Sequence, residues 1–158
     1  MNTEPPCSDY VEVRGVVFLA RMLHKIRLKH SGRLPEGYSV GVANPTCFDA
    51  RFCRYWGVDF ERISALVLSG KTDEEVFNAL FEGRYLSPEH ILCWNSFIVK
   101  RGWRDGVAEE LEREKLARGL GDRADIQTFV DFHDVDEGRR PRYALRDEEA
   151  VGSVGAVD

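Results

Sequence analysis

Glycines punctuate this chain where helices would have to stop. Gly32, Gly57, Gly70, Gly102 and Gly119 each stand just past a run with helical character. A glycine there can adopt the left-handed backbone that closes a helix at little steric cost. Several of the runs also open on a cap. Asp59 can cap one, Thr72 and Glu75 have capping-box spacing, and Ser87-Pro88-Glu89 starts another. Asn44-Pro45 has the form of an N-cap followed by proline at the first helical position. Such punctuation predicts an all-α fold of about six helices, with at most one short strand or hairpin.

The expected helices run over about 14–30, 45–57, 59–69, 72–82, 87–101 and 104–118, with a last ordered piece over 126–135. Segment 37–43 reads as an extended connection or one short strand. Segment 87–101 is apolar nearly all round, with Ile91, Leu92, Trp94, Phe97, Ile98 and Val99. That pattern predicts the central, buried helix, with Trp94 and Phe97 in the core. A chain of 158 residues is one domain's length and can bury a core without staples. Its 9 Phe, 5 Tyr and 3 Trp give that core large pieces. The expected organisation is a flexible N-terminus over 1–12, a helical domain over 13–139 and a disordered, charged and small-residue tail over 140–158.

A net charge of −5 argues against a nucleic-acid partner, which is held mainly by Lys and Arg. No stretch approaches the length of a membrane span. The first ten residues hold two acids, two prolines and no apolar run, unlike a secretory signal. Cys7, Cys47, Cys53 and Cys93 are irregularly spaced and mostly set among apolar residues, as expected of free, buried thiols in a reducing cytoplasm.

Most tempting motifs fail on physical grounds. Gly119-Leu120-Gly121-Asp122-Arg123-Ala124 fits a dinucleotide-binding turn, but a charged helical run, not a strand, precedes it. It reads as a helix stop and a turn. Two helices joined by Gly70-Lys71-Thr72 have helix-turn-helix spacing, yet the second begins Asp73-Glu74-Glu75, which phosphates would repel. Asp131, Asp134, Asp136 and Glu137 match no register of a calcium loop. His90 and Cys93 form one ligand pair without a second. No Gly-x-Ser-x-Gly elbow appears. Neither a metal nor a cofactor is expected.

What survives is a basic row. Residues 14–33 carry Arg14, Arg21, Lys25, Arg27, Lys29 and Arg33 and no acid. Arg14, Arg21 and Lys25 stack on one side of the expected helix, flanked by Val17, Phe18 and Leu28. Asp49 sits at the edge of an aromatic face formed by Phe48, Phe52, Tyr55 and Trp56. One reading is a ligand site in which Arg21 and Lys25 clamp an anion, with Asp49, His24 and Arg14 beside them. The other is structural, the cations pairing with Asp49 or with the acidic 131–137 segment. The function expected is a binding or interaction module with an anion-accepting patch, its partner a small anionic ligand or a protein. The alternative is a small enzyme acting on an anionic metabolite, Arg21 and Lys25 holding the anion and Asp49 or His24 moving protons. A purely structural protein is the third reading.

The order of Arg21-Met22-x-x-Lys25-x-Arg27, Gly32, Tyr38, Cys47-Phe48-Asp49, Gly57-Val58-Asp59 and Thr72-Asp73-Glu74-Glu75-Val76 resembles an uncharacterised bacterial family, domain of unknown function 5069. The run from Thr128-Phe129-Val130-Asp131 to Asp136-Glu137-Gly138-Arg139 is similar to that family's ending. The likeness spans about residues 14–139. It implies a bacterial protein and one constellation of Arg21, Lys25 and Asp49. It implies no particular chemistry.

Overall fold

The computed structural model describes residues 2–142. Those residues form a hairpin of β1 (Glu12–Val13) and β2 (Val16–Val17) and seven helices. The helices are α1 (Leu19–His30), α2 (Phe48–Trp56), α3 (Phe60–Leu68), α4 (Asp73–Leu80), α5 (Pro88–Lys100), α6 (Ala108–Ala117) and α7 (Phe129–Asp136). The fold is therefore mostly helical, with the one short hairpin that the sequence allows. Among the described residues no helix is long and apolar enough to cross a membrane. The chain forms two compact units, one ending at Lys100 and the other beginning at Arg101.

In the first unit the hairpin replaces the opening turns expected of the first helix. Val13 pairs with Val16 and Glu12 with Val17. The two-residue loop Arg14-Gly15 has positive φ at both positions, 48° and 83°, as a type I′ turn requires. Three β-branched valines around that turn favour the pleat over a helix, so α1 begins only at Leu19. Phe18 joins strand to helix at φ 75°, a conformation bulky residues rarely adopt. Burial and hydrogen bonds hold it there. Its ring lies 5.6 Å from Phe48, 6.4 Å from Phe52 and 6.5 Å from Trp94. Its N–H donates to the Asp9 carbonyl at 2.9 Å. The preceding Val17 donates to Asn95 Oδ1 and accepts from Trp94 Nε1, at 3.1 and 3.0 Å.

The buried helix is α1, not α5. Leu19, Ala20, Met22, Leu23, Ile26 and Leu28 are all inside, and α1 packs against α3. On α5 only Trp94 and Ile98 are buried, while Leu92 is 58% and Phe97 38% exposed. The expectation that Phe97 is core is thus corrected, and that for Trp94 holds. Periodicity could not separate the two cases, because a helix apolar on every side leaves its inner face undefined.

Asn44 does not cap α2. Its side chain accepts from the Thr46 N–H and hydroxyl, at 3.0 and 2.8 Å, forming a local turn. The N-cap is Cys47. Further along, Asp59 accepts from the Arg62 N–H and caps α3, and the Thr72/Glu75 capping box on α4 is complete. These two caps stand where the sequence puts them.

The second unit centres on Leu111, Ile126 and Phe132, with Leu120, Phe129 and Val135 against them. Gly102 (φ 96°) lies so close to Leu111 and Phe129 that a β-carbon would come within 3.0 Å of each. Lys115 is buried, with its ammonium on the Ile126 carbonyl at 3.1 Å and on Glu112. Gly119 ends the helical run at φ 71°, and the glycine pattern after it is a turn. Thr128 caps α7, so this helix starts three residues later than the ordered piece expected from 126. Of the tail expected over 140–158, residues 143–158 lie outside the described ones.

Candidate functional site

The first unit offers two basic clusters, and they differ in what surrounds them. The first is the row on α1. Lys25 is 7% exposed and its ammonium is fully engaged: Asp49 Oδ1 at 2.7 Å, the Ser39 carbonyl at 2.8 Å, and the Phe18 ring 5.5 Å from Nζ. Asp49, wholly buried, accepts through Oδ2 from the Gly41 N–H at 2.9 Å. Gly41 (φ 97°) lies against Phe60, where a β-carbon would approach to 3.3 Å. A side chain there would strain the backbone that aims this amide at Asp49.

Arg21 has a different carboxylate. It is 3% exposed, its Nε is 3.6 Å from Asp9 Oδ2, and its Nη1 donates to the Cys7 carbonyl at 2.9 Å. Its guanidinium lies 5.8 Å from the Tyr38 ring centre. Lys25 and Asp49 are thus brought together as the spacing suggests, while Arg21 faces Asp9, an acid that nothing in the helical periodicity singles out. Arg27 pairs with Asp73 at 2.6 Å. Arg14 is on the hairpin loop, with its guanidinium 6.0 Å from the Phe77 ring. His24 Nδ1 accepts from the Cys7 N–H at 3.0 Å, and Nε2 is 4.0 Å from Glu4. Burial pushes the His24 imidazole below its ordinary value, against the opposing pull of Glu4.

These contacts also account for the N-terminal segment. Glu4 donates its N–H to the Arg33 carbonyl and pairs with the Arg33 guanidinium. Cys7 meets both His24 and Arg21. The chemistry of the row is therefore to tie residues 4–9, the 39–41 connection and the start of α2 onto α1.

The second cluster lines a groove between α2 and α5. Its walls are Arg51, Arg54, Tyr55, Trp94 and Phe97, and its volume is about 410 Å³. Helical spacing places Arg51, Arg54 and Tyr55 along one side of α2, and Trp94 and Phe97 one turn apart on α5. Tyr55 and Trp94 lie 5.4 Å apart, and Trp94 and Phe97 6.3 Å. Trp94 is fixed as the floor by its bond to Val17. The Tyr55 hydroxyl donates to the His90 carbonyl at 2.7 Å. Burial raises its pKa, with Cys93 and Glu89 adding to the effect, so the ring stays neutral. The Arg51 guanidinium lies 5.6 Å from the Phe97 ring centre and donates through Nε to the Thr46 carbonyl. Arg54 is exposed and donates through Nη2 to the Pro45 carbonyl at 2.6 Å. The lining thus carries two cations, three aromatic rings and no acid. The excess of apolar residues on α5 was the one sequence signal pointing to it.

Elsewhere, the four cysteines are free thiols, but only Cys53 is buried; Cys93, expected inside, is exposed because α5 turns that side outward. Among the described residues no group of three or more His, Cys, Asp or Glu is placed to hold a metal ion. A family model described as a domain of unknown function (DUF5069) matches residues 3–139. The chain belongs to this family. The match takes in both clusters, nearly all of the first compact unit and the second as far as residue 139 of this DUF5069 protein. A search of curated proteins finds no match.

Proposed function

We propose that this protein is a bacterial cytoplasmic binding module for a small ligand and that its binding surface is the α2–α5 groove. The observation that carries this reading is the groove's composition. An open space of about 410 Å³ walled by Tyr55, Trp94 and Phe97 falls within the size range of small-molecule sites and has their apolar character. The α1 row supports the same choice by contrast. Arg21 and Lys25 are buried against Asp9 and Asp49, and an incoming anion would have to displace a buried carboxylate to reach them. An enzymatic role for Arg21, Lys25 and Asp49 gains no support from these contacts, because Asp49 is closed against Lys25 and His24 Nδ1 is taken by the Cys7 N–H. The four free thiols fit a reducing compartment.

The test is a fluorescence titration with N-phenyl-1-naphthylamine, a neutral aromatic dye that brightens in apolar sites. The wild-type protein is expected to bind it, and Phe97→Ala to weaken binding about threefold to tenfold, as expected for loss of one aromatic wall. Circular dichroism melts check that the variant remains folded. No dye binding by the folded wild type, or binding that Phe97→Ala leaves unchanged, would remove the groove as the site.

A further inference from the structure

The groove's charge distribution goes further than its apolar walls, and we infer that its ligand is an aromatic acid: one or two planar rings bearing an anionic group that Arg54 reads. This rests on the groove being the binding site. A volume of about 410 Å³ suits a molecule of that size.

The rings that line the groove set the body of the ligand. Trp94 forms the floor, with Tyr55 and Phe97 on either side of it. Offset and edge-on contacts with such rings favour another flat π-system over a branched aliphatic chain. The arginines set its charge. Arg51 is drawn over the Phe97 face and anchored on the Thr46 carbonyl. Among the described residues Arg54 is held at Nη2 by the Pro45 carbonyl, a neutral acceptor that restrains the guanidinium and leaves its charge to a ligand. A guanidinium held in this way presents a fork that matches a carboxylate with little further loss of freedom. No lining residue is acidic, so the anion meets no carboxylate within the walls.

The arrangement contrasts with Arg27, Arg33 and Lys25, each of which has a carboxylate of its own. On α2 the exposed cation beside the aromatic walls is bonded to a neutral carbonyl instead. The partner carboxylate in this part of the molecule is supplied by the ligand.

The experiment compares two probes of nearly identical shape, 1-naphthylacetate and the neutral 1-naphthylacetamide. Each is titrated into wild-type and Arg54→Gln protein while the Trp94 indole N–H resonance is followed by NMR. The acetate is expected to bind about tenfold more tightly than the amide, the scale of one charge-assisted hydrogen-bond pair at an open rim. Arg54→Gln should reduce that preference to about twofold or less by weakening acetate binding more than amide binding. Equal binding of the two probes by the wild type would overturn the acid while leaving the groove reading in place. A preference that survives Arg54→Gln would overturn the role of Arg54. If N-phenyl-1-naphthylamine binds but neither naphthyl probe does, the ligand class is wrong. If none of the three binds, the groove reading falls with it.

Discussion

The basic row of α1 and the arginines of α2 are made from the same materials, cations on a helix beside aromatic rings. They differ in where the counter-charge comes from. Lys25 meets Asp49 and Arg21 meets Asp9 inside the protein, with both carboxylates wholly buried. Arg54, exposed at the edge of an open groove, is held by the carbonyl of Pro45. A buried cation must bring its own anion or pay desolvation. An exposed one can wait for an anion from solution. Density of positive charge along a helix is therefore a poor guide to a site, and the source of the compensating charge is a better one.

The comparison breaks most sharply at Asp49. Asp49→Ala would strand a buried ammonium on the Ser39 carbonyl and the Phe18 ring and leave the Gly41 N–H without its acceptor. A loss of about 3–5 kcal/mol in urea unfolding is expected. The double variant Lys25→Met, Asp49→Asn should lose less than the sum of its single changes, because each single change leaves a lone buried charge and the double leaves none. Strict additivity would show that the pair does not act as a unit. At the other cluster, Arg54→Gln should leave stability within about 0.5 kcal/mol of wild type. A large loss there would mean that the groove's rim is structural after all.

The same contrast can be tested within α5. Trp94 is 1% exposed and bonded to Val17, whereas Phe97 is 38% exposed. Trp94→Ala should cost about 3–5 kcal/mol, and Phe97→Ala about 1 kcal/mol or less. Thermal and urea unfolding of the two variants side by side would measure the difference. Equal losses would place Phe97 in the core, where the sequence puts it.

That misplacement shows what could be read from the sequence and what could not. Local chemistry was legible. The caps at Asp59 and at Thr72 with Glu75, and the stops at Gly57, Gly70 and Gly102, depend on residues within a few positions of one another, and these helices lie where they predict. The hairpin was only faintly legible: Gly15 between valines suits the turn, but Arg14 is not a residue that favours positive φ at its first position. Extending the helical periodicity of α1 backwards concealed it. Long-range placement was not legible. Asp9 reaches Arg21 only because the hairpin folds residues 4–9 back along α1, and no spacing rule relates the two. Asp49 was recognisable because a carboxylate beside an aromatic face needs a cation, and its choice of Lys25 over Arg21 depends on the path of residues 39–41. The groove needs α2 and α5 side by side, and these are about forty residues apart in sequence.

The smallest effect expected belongs to His24, at the border of the closed cluster. Its Nδ1 accepts the Cys7 N–H, so the folded protein favours the neutral ring. Burial lowers its pKa from 6.5, and Arg27 and Arg33 act in the same direction while Glu4 and Asp73 oppose. The unfolded chain, titrating near 6.5, then binds more protons than the folded one just below that pH. Stability is fully present above about pH 6.5, is lost as the pH falls toward the folded value, and levels off below it. Unfolding measured from pH 8 to pH 5 should therefore show a small loss in the wild type on that interval. His24→Gln should lack it, whatever its effect on stability at pH 8. Parallel curves for the two proteins would show that protonation of His24 does not strain its bond to Cys7. The N-terminal segment would then be held by Arg21 and by the pairing of Glu4 with Arg33.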